Sequence, residues 1–240
     1  MTDVIIAIVA VNIKYIHYTK QLITDINKQI QTNFLILTNE PSQFSEFLNV
    51  NVILYNEPIF SYHSKLVALE ESLKIKNTVI LLDADHRINK EKNYLHLLNE
   101  LNDIEEGLYP HFLWKSPCGC SLESFLLGLT PRVPYGIEYK QYCIDNYIKT
   151  DGCSLIQESF ILIKAYDNSK DKLYKFFNTW RQLAVFCDDK DKQRNQSVLG
   201  YGEGYTIAIS ALNASLKVIE YNDKVSRLKD SFQHFAWFPQ

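Results

Sequence analysis

The stretch VILLDADHRI (79–88) decides the reading of this chain. Four apolar residues run straight into two aspartates separated by a single alanine. A short, continuous apolar run is the mark of a strand covered on both faces, so Asp83 and Asp85 stand at the carboxyl end of a buried strand. Carboxylates in such a place are costly unless a metal ion or a base compensates them. In an extended segment residues i and i+2 project to the same side, so the two acids can address one ion together. The plainer alternative, in which they cap a loop or meet Arg87, stays open at this point.

Upstream, IIAIVAV (5–11), NFLILT (33–38) and NVILY (51–55) are runs of the same kind, and NTVILLD (77–83) is the fourth. Between them, residues 15–31 carry Tyr15, Tyr18, Leu22, Ile26 and Ile30 at helical steps, and 64–75 repeat Leu66, Leu69 and Leu73. Alternation of strand and helix predicts a right-handed α/β fold with a mainly parallel central sheet flanked by helices. Downstream, 107–136 reads as a loop-rich insertion and SLIQESFILI (154–163) as a strand. A helix with Leu173, Phe176, Phe177, Trp180, Leu183 and Ala184 on one face follows. DDKDKQRNQ (188–196), without an apolar residue, reads as a solvated loop. LGYGEGY (199–205) opens another helix, and SLKVIEY reads as a final strand before the tail QHFAWFPQ.

The chain has 240 residues, 46% hydrophobic and 22% charged, with a formal net charge of -3. That is one globular domain with no broad basic field, so extended binding to a nucleic-acid backbone is not expected. The expected organisation is a single domain over 1–240, with 1–106 as a nucleotide-binding half and 107–240 as an acceptor-binding and catalytic half. The run Val4–Val11 lacks the features of a signal peptide and is too short to span a bilayer, which leaves room only for peripheral association with a membrane. Five irregularly spaced cysteines predict thiols in a reducing cytoplasm, and the Cys118-Gly119-Cys120 spacing is not that of structural zinc.

An α/β sheet of this size binds ligands beyond its strand carboxyl ends. The turn after the first strand, VNIKYI, holds no glycine, which disfavours nicotinamide and P-loop chemistry. Ala10, Val11 and Asn12 are then expected against the base and ribose of a nucleotide, with Tyr15 as a stacking ring and Lys65 as a point charge for a diphosphate. Hard oxygen donors at Asp83 and Asp85 suit Mg2+ or Mn2+, which bridges phosphate oxygens.

The order of these elements resembles the GT-A class of nucleotide-sugar glycosyltransferases over nearly the whole chain. LLDADHRI is similar to the strand-DxD signature of the glycogenin-type and blood-group-type enzymes. QESFILI stands where those have an NSGVLLI-like strand, although Gln157-Glu158-Ser159 departs from it, and TWRQL resembles the helix that follows. The resemblance implies a metal-dependent transfer of sugar from a nucleotide-sugar donor, UDP-linked first of all, to a hydroxyl acceptor such as a glycan. It implies that Asp83 and Ala84 meet the donor, that Asp83 and Asp85 hold the metal, and that the tail His234 is a third ligand; imidazole with carboxylates favours Mn2+.

Glu203, between two glycines at a helix start, resembles the acid that activates the acceptor hydroxyl, with Gly204 replacing the second acid of that motif. Glu158 interrupts an apolar strand and is the other catalytic candidate; between them the stereochemical outcome stays open. Tyr62 and His63 are expected near the cleft, and Tyr109, His111, Trp114 and Tyr135 either as an acceptor-sugar platform or as packing under a lid. Two rivals remain. A haloacid-dehalogenase-like phosphatase also uses a strand followed by DxD, with Asp188 and Asp189 as its later acids. A non-catalytic relic would bind nucleotide-sugar without turnover.

Overall fold

The computed structural model describes residues 2–56, 61–111, 113–114, 125–127, 135–166, 169–193 and 201–234, with the side chains of Tyr62, Trp114, 191–193, 201–202 and 234 outside that description. The protein is α/β, with a mixed, mainly parallel six-stranded sheet flanked by helices on both faces. Its first strands are β1 (Val4–Val9), β2 (Asn33–Thr38), β3 (Val50–Leu54) and β4 (Thr78–Asp83), which run parallel to one another. β5 (His86–Ile88) leaves the sheet. β6 (Gly107–Pro110) and β9 (Phe160–Lys164) return to it, giving the order β3-β2-β1-β4-β9-β6 with β9 antiparallel to both its neighbours.

The strands alternate their side chains between two cores. Ile5, Ala7, Val79, Leu81, Ile161 and Ile163 face α2 (Tyr62–Leu73) and two later helices, α4 (Lys170–Gln193) and α5 (Tyr201–Asn213), which supply Leu66, Leu69, Trp180 and Ile207. Ile6, Ile8, Ile80, Leu82 and Leu162 face α1 (Ile13–Asn27), the 3-10 helix Leu95–Asp103, and α6 (Asp223–Asp230). Every residue of β1 is buried, and each large side chain so buried contributes about 1.5–3 kcal/mol. The central strands are therefore a rigid platform for whatever their ends carry.

Several elements differ from the sequence reading. In α1 the buried stripe is Ile16, Thr19, Leu22, Ile23 and Ile26, so Tyr15 stands off the core face. Residues 107–110, read as the start of a loop-rich insertion, are the edge strand β6, and a short helix α3 (Gly136–Asp145) follows. SLIQESFILI is two strands, β8 (Leu155–Ile156) and β9. The break falls at Ser159, whose N–H is taken by its own neighbour's side chain, Gln157 Oε1, at 2.8 Å. Residues 188–193 of the supposed solvated loop are the last turns of α4, where a tertiary pair, His63 Nδ1 to Asp188 Oδ2 at 3.5 Å, replaces the missing apolar periodicity; 194–196 lie outside the described residues. SLKVIEY makes a single bridge, Val218 to Leu108, instead of a strand. The tail forms β10 (Phe232–His234), antiparallel to β5; the two-stranded pair β7 (Leu113–Trp114) with β8 completes the fold. Among the described residues no helix is long and apolar enough to cross a membrane.

Candidate functional site

A cavity of about 290 Å3 opens at the carboxyl ends of β1 and β4. β1 brings Val9 and Val11, and the turn after it Asn12; α1 adds Tyr15, and α2 adds Lys65. β4 ends in Leu82 and Asp83, and Ala84 and Asp85 follow as a tight turn into β5. The remaining wall is Glu158, from the break between β8 and β9, and Glu203, from the first turn of α5. Ala10 does not belong here: it is fully buried in the core on the α1 side. Asp85 sits in a turn, so the two-residue period of a strand is not what brings it beside Asp83; the shared cavity is.

Local geometry explains several of these placements. Asn12 adopts φ 79°, ψ 156°, outside the regions that side-chain-bearing residues favour, while its Oδ1 accepts from the N–H groups of Lys14 and Tyr15 and caps α1. Gly204 has no room for a side chain: a Cβ there would stand 2.1 Å from the Ile156 carbonyl oxygen and 3.1 Å from Glu158 Oε2. The missing side chain at Gly204 is thus what lets α5 dock on β8 and carry Glu203 into the cavity.

Lys65 is the electrostatic centre. Its Nζ lies 2.7 Å from Asp83 Oδ1 and 3.0 Å from Glu203 Oε2, with both Lys65 and Glu203 almost wholly buried. Burial alone would lower the ammonium, but Asp83, Glu203 and Glu158 together hold it above its ordinary value. For Glu203 burial dominates and pushes the carboxyl up to about 8, against the pull of Lys65 and with help from Glu158. Lys65 is thus held as an ammonium by its carboxylate neighbours, while burial works against ionisation of Glu203. Glu203 Oε1 is buried and has no hydrogen-bond partner among the described residues.

Among the residues lining this cavity, Asp83, Asp85, Glu158 and Glu203 outnumber the single ammonium of Lys65, which leaves an excess of acid. Among the described residues no three carboxylate, imidazole or thiol groups form a cage for an ion. That donor set fits a hard divalent cation of the Mg2+ or Mn2+ kind, which uses one or two carboxylates and completes its shell with phosphate oxygens and water. The third ligand expected from sequence, the imidazole of His234, lies outside the described side chains; its backbone pairs with His86.

Two expectations about the acceptor side change. Tyr109 is fully buried in the α1-side core, its hydroxyl donating to the Glu105 carbonyl at 2.6 Å, and Tyr135 is buried edge-on to Phe125. Neither offers a ring face to a ligand; both pack inside the protein, the other of the two roles that the sequence left open for them. His111 Nδ1 lies 3.1 Å from Ser159 Oγ, and His63 pairs with Asp188. The side chains of Tyr62 and Trp114, and Cys118 and Cys120, lie outside the described residues. Sequence reading missed the residues that hold Asp83 from behind: its N–H donates to the Ser159 carbonyl at 3.1 Å, and its carbonyl accepts from His86 Nδ1 at 3.0 Å. The adjacency of His86 to the aspartate pair was the available signal. No protein-family profile matches the chain, and no curated protein matches it.

Proposed function

We propose that the protein is a GT-A-type glycosyltransferase that moves a sugar from a nucleotide-sugar to a hydroxyl acceptor with the help of Mn2+ or Mg2+. The observation that carries this reading is the convergence on one cavity of Asp83, Asp85, Lys65, Glu158 and Glu203, from four separated stretches of chain, beyond the carboxyl ends of parallel strands. Asp83 and Asp85 would hold the ion, which when bound neutralises charge developing on the departing diphosphate. Lys65 adds a fixed ammonium, and Val11, Asn12 and the half-exposed ring of Tyr15 wall the end suited to the base and ribose. Glu158, on the cavity wall, would hydrogen-bond sugar hydroxyls. Once ionised, Glu203 takes the proton of the acceptor hydroxyl. The new bond to the anomeric carbon forms as the bond to the diphosphate oxygen breaks, and that electron pair leaves with the diphosphate.

The phosphatase alternative is less well supported. Its later acid, Asp188, is spent on His63 and does not line the cavity. Thermal-shift titration with UDP-, GDP- and CMP-sugars, with and without Mn2+, tests the proposal, since a ligand raises apparent stability by mass action. A UDP-sugar should raise the melting temperature only when Mn2+ is present, and Asp85→Ala should abolish that rise and donor hydrolysis together. Unchanged activity in Asp85→Ala rejects the assignment; metal-dependent hydrolysis of phosphomonoesters favours the phosphatase; saturable donor binding without turnover favours the relic.

A further inference from the structure

We propose that His86 is a positioning residue for the Asp83/Asp85 pair, its buried ring fixing the turn that presents both carboxylates; this rests on the metal-dependent reading above. Only Ala84 and Asp85 separate β4 from β5, so the spacing of the two acids is set by that turn. The sheet and β9 hold its entry, where the Asp83 N–H meets the Ser159 carbonyl at 3.1 Å. His86 holds it from the other end by reaching back to the Asp83 carbonyl at 3.0 Å. A carbonyl has no proton to give, so Nδ1 carries the proton and donates it.

The ring is itself immobilised. His86 is fully buried, lies edge-on to Phe232 at 6.5 Å, and pairs through its backbone with His234 of β10. The register continues through Gln233 with Arg87 and Phe232 with Ile88, and Asn89 N–H donates to the Ser231 carbonyl at 2.8 Å. Thus the tail of the chain braces the carboxylate turn without having to touch a ligand. An ion held by two carboxylates is sensitive to their separation, and groups that orient metal ligands from behind change metal affinity when removed.

The alternative is that His86 only fills space against Phe232, and two substitutions separate the cases. In His86→Asn the amide nitrogen falls near the place of Nδ1; in His86→Gln, which fills more of the space, it falls near that of Nε2. Mn2+ alone is titrated calorimetrically into wild type, both variants and Asp85→Ala, with circular dichroism and melting to confirm folding. The expected result is binding within about threefold of wild type for His86→Asn and at least about tenfold weaker for His86→Gln. Equal affinity in His86→Gln and wild type, or equal weakness in both variants, overturns the assignment. Mn2+ binding that Asp85→Ala abolishes and His86→Gln leaves intact sinks this role and spares the metal reading. A wild type that binds no Mn2+ sinks both. In the wild type itself, nitrogen NMR shifts of the ring should report the proton on Nδ1, and a ring protonated on Nε2 alone overturns the assignment without any variant.

Discussion

Replacing Glu203 by glutamine should make the metal-free protein more stable at pH 8 than the wild type, with little difference near pH 5. The carboxyl is buried and pushed up to about 8, from an unfolded value near 4.5. Between those values the folded state binds a proton that the unfolded state has released. Stability must therefore fall as pH rises: the contribution is fully present below the unfolded value and is lost by the folded one. One proton corresponds to about 1.4 kcal/mol per pH unit, so the wild type should lose on the order of 3 kcal/mol between pH 5 and 8 through this group. Glutamine keeps the shape and an acceptor for Lys65 but cannot ionise. Urea unfolding in a chelating buffer, followed through the fluorescence of the fully buried Trp180, gives both stabilities at each pH. Other titrating groups are common to both proteins and cancel in the difference. Parallel pH profiles would refute the buried, proton-holding Glu203, and so would a wild type that gains on glutamine only at acid pH.

Three further outcomes follow from the same geometry. Gly204→Ala forces a methyl onto the Ile156 carbonyl and should cost about 1–3 kcal/mol, measured by urea unfolding; an unchanged midpoint would mean that α5 does not dock on β8 as described. Asn12→Gly relieves a backbone conformation that costs about 1–3 kcal/mol and loses only a few tenths of the cap, so it should stabilise, whereas Asn12→Ala keeps the strain, loses the cap and should destabilise by about 1 kcal/mol; the opposite ordering in thermal melts removes the strain argument. Lys65→Met strands Asp83 and Glu203 without their ammonium and should cost about 3–5 kcal/mol at pH 8 and less at pH 5, below the raised value of Glu203; full stability at pH 8 would count against the buried pairing.

The parts of the fold that were legible in the sequence are those whose burial is two-sided. β1, β2, β4 and β9 are hydrophobic at nearly every position because both faces are covered. Where tertiary contacts do the stabilising, the pattern misled: the end of α4 is held by Asp188 and His63, and Ser159 breaks the β8–β9 run through hydrogen bonds that hydropathy does not encode. α6 went unread because in eight residues its buried face has two apolar members, Val225 and Leu228, and a lysine, Lys229, too little for a hydrophobic period to register. The site was legible for a different reason. An acid inside or at the end of an apolar run is expensive enough that its presence demands a compensating partner, which is why Asp83 and Glu158 stood out, whereas Glu203 was marked by its place between two glycines at a helix start. What sequence could not give was the partner. Lys65 looks like any helical lysine until α2 is laid across the end of β4, and only there does its ammonium meet two carboxylates within 3.0 Å. The excess of acid over base that remains around it is the physical reason to expect a cation at this corner, and the chelated and Mn2+-loaded proteins are where that expectation and the Glu203 titration are to be compared.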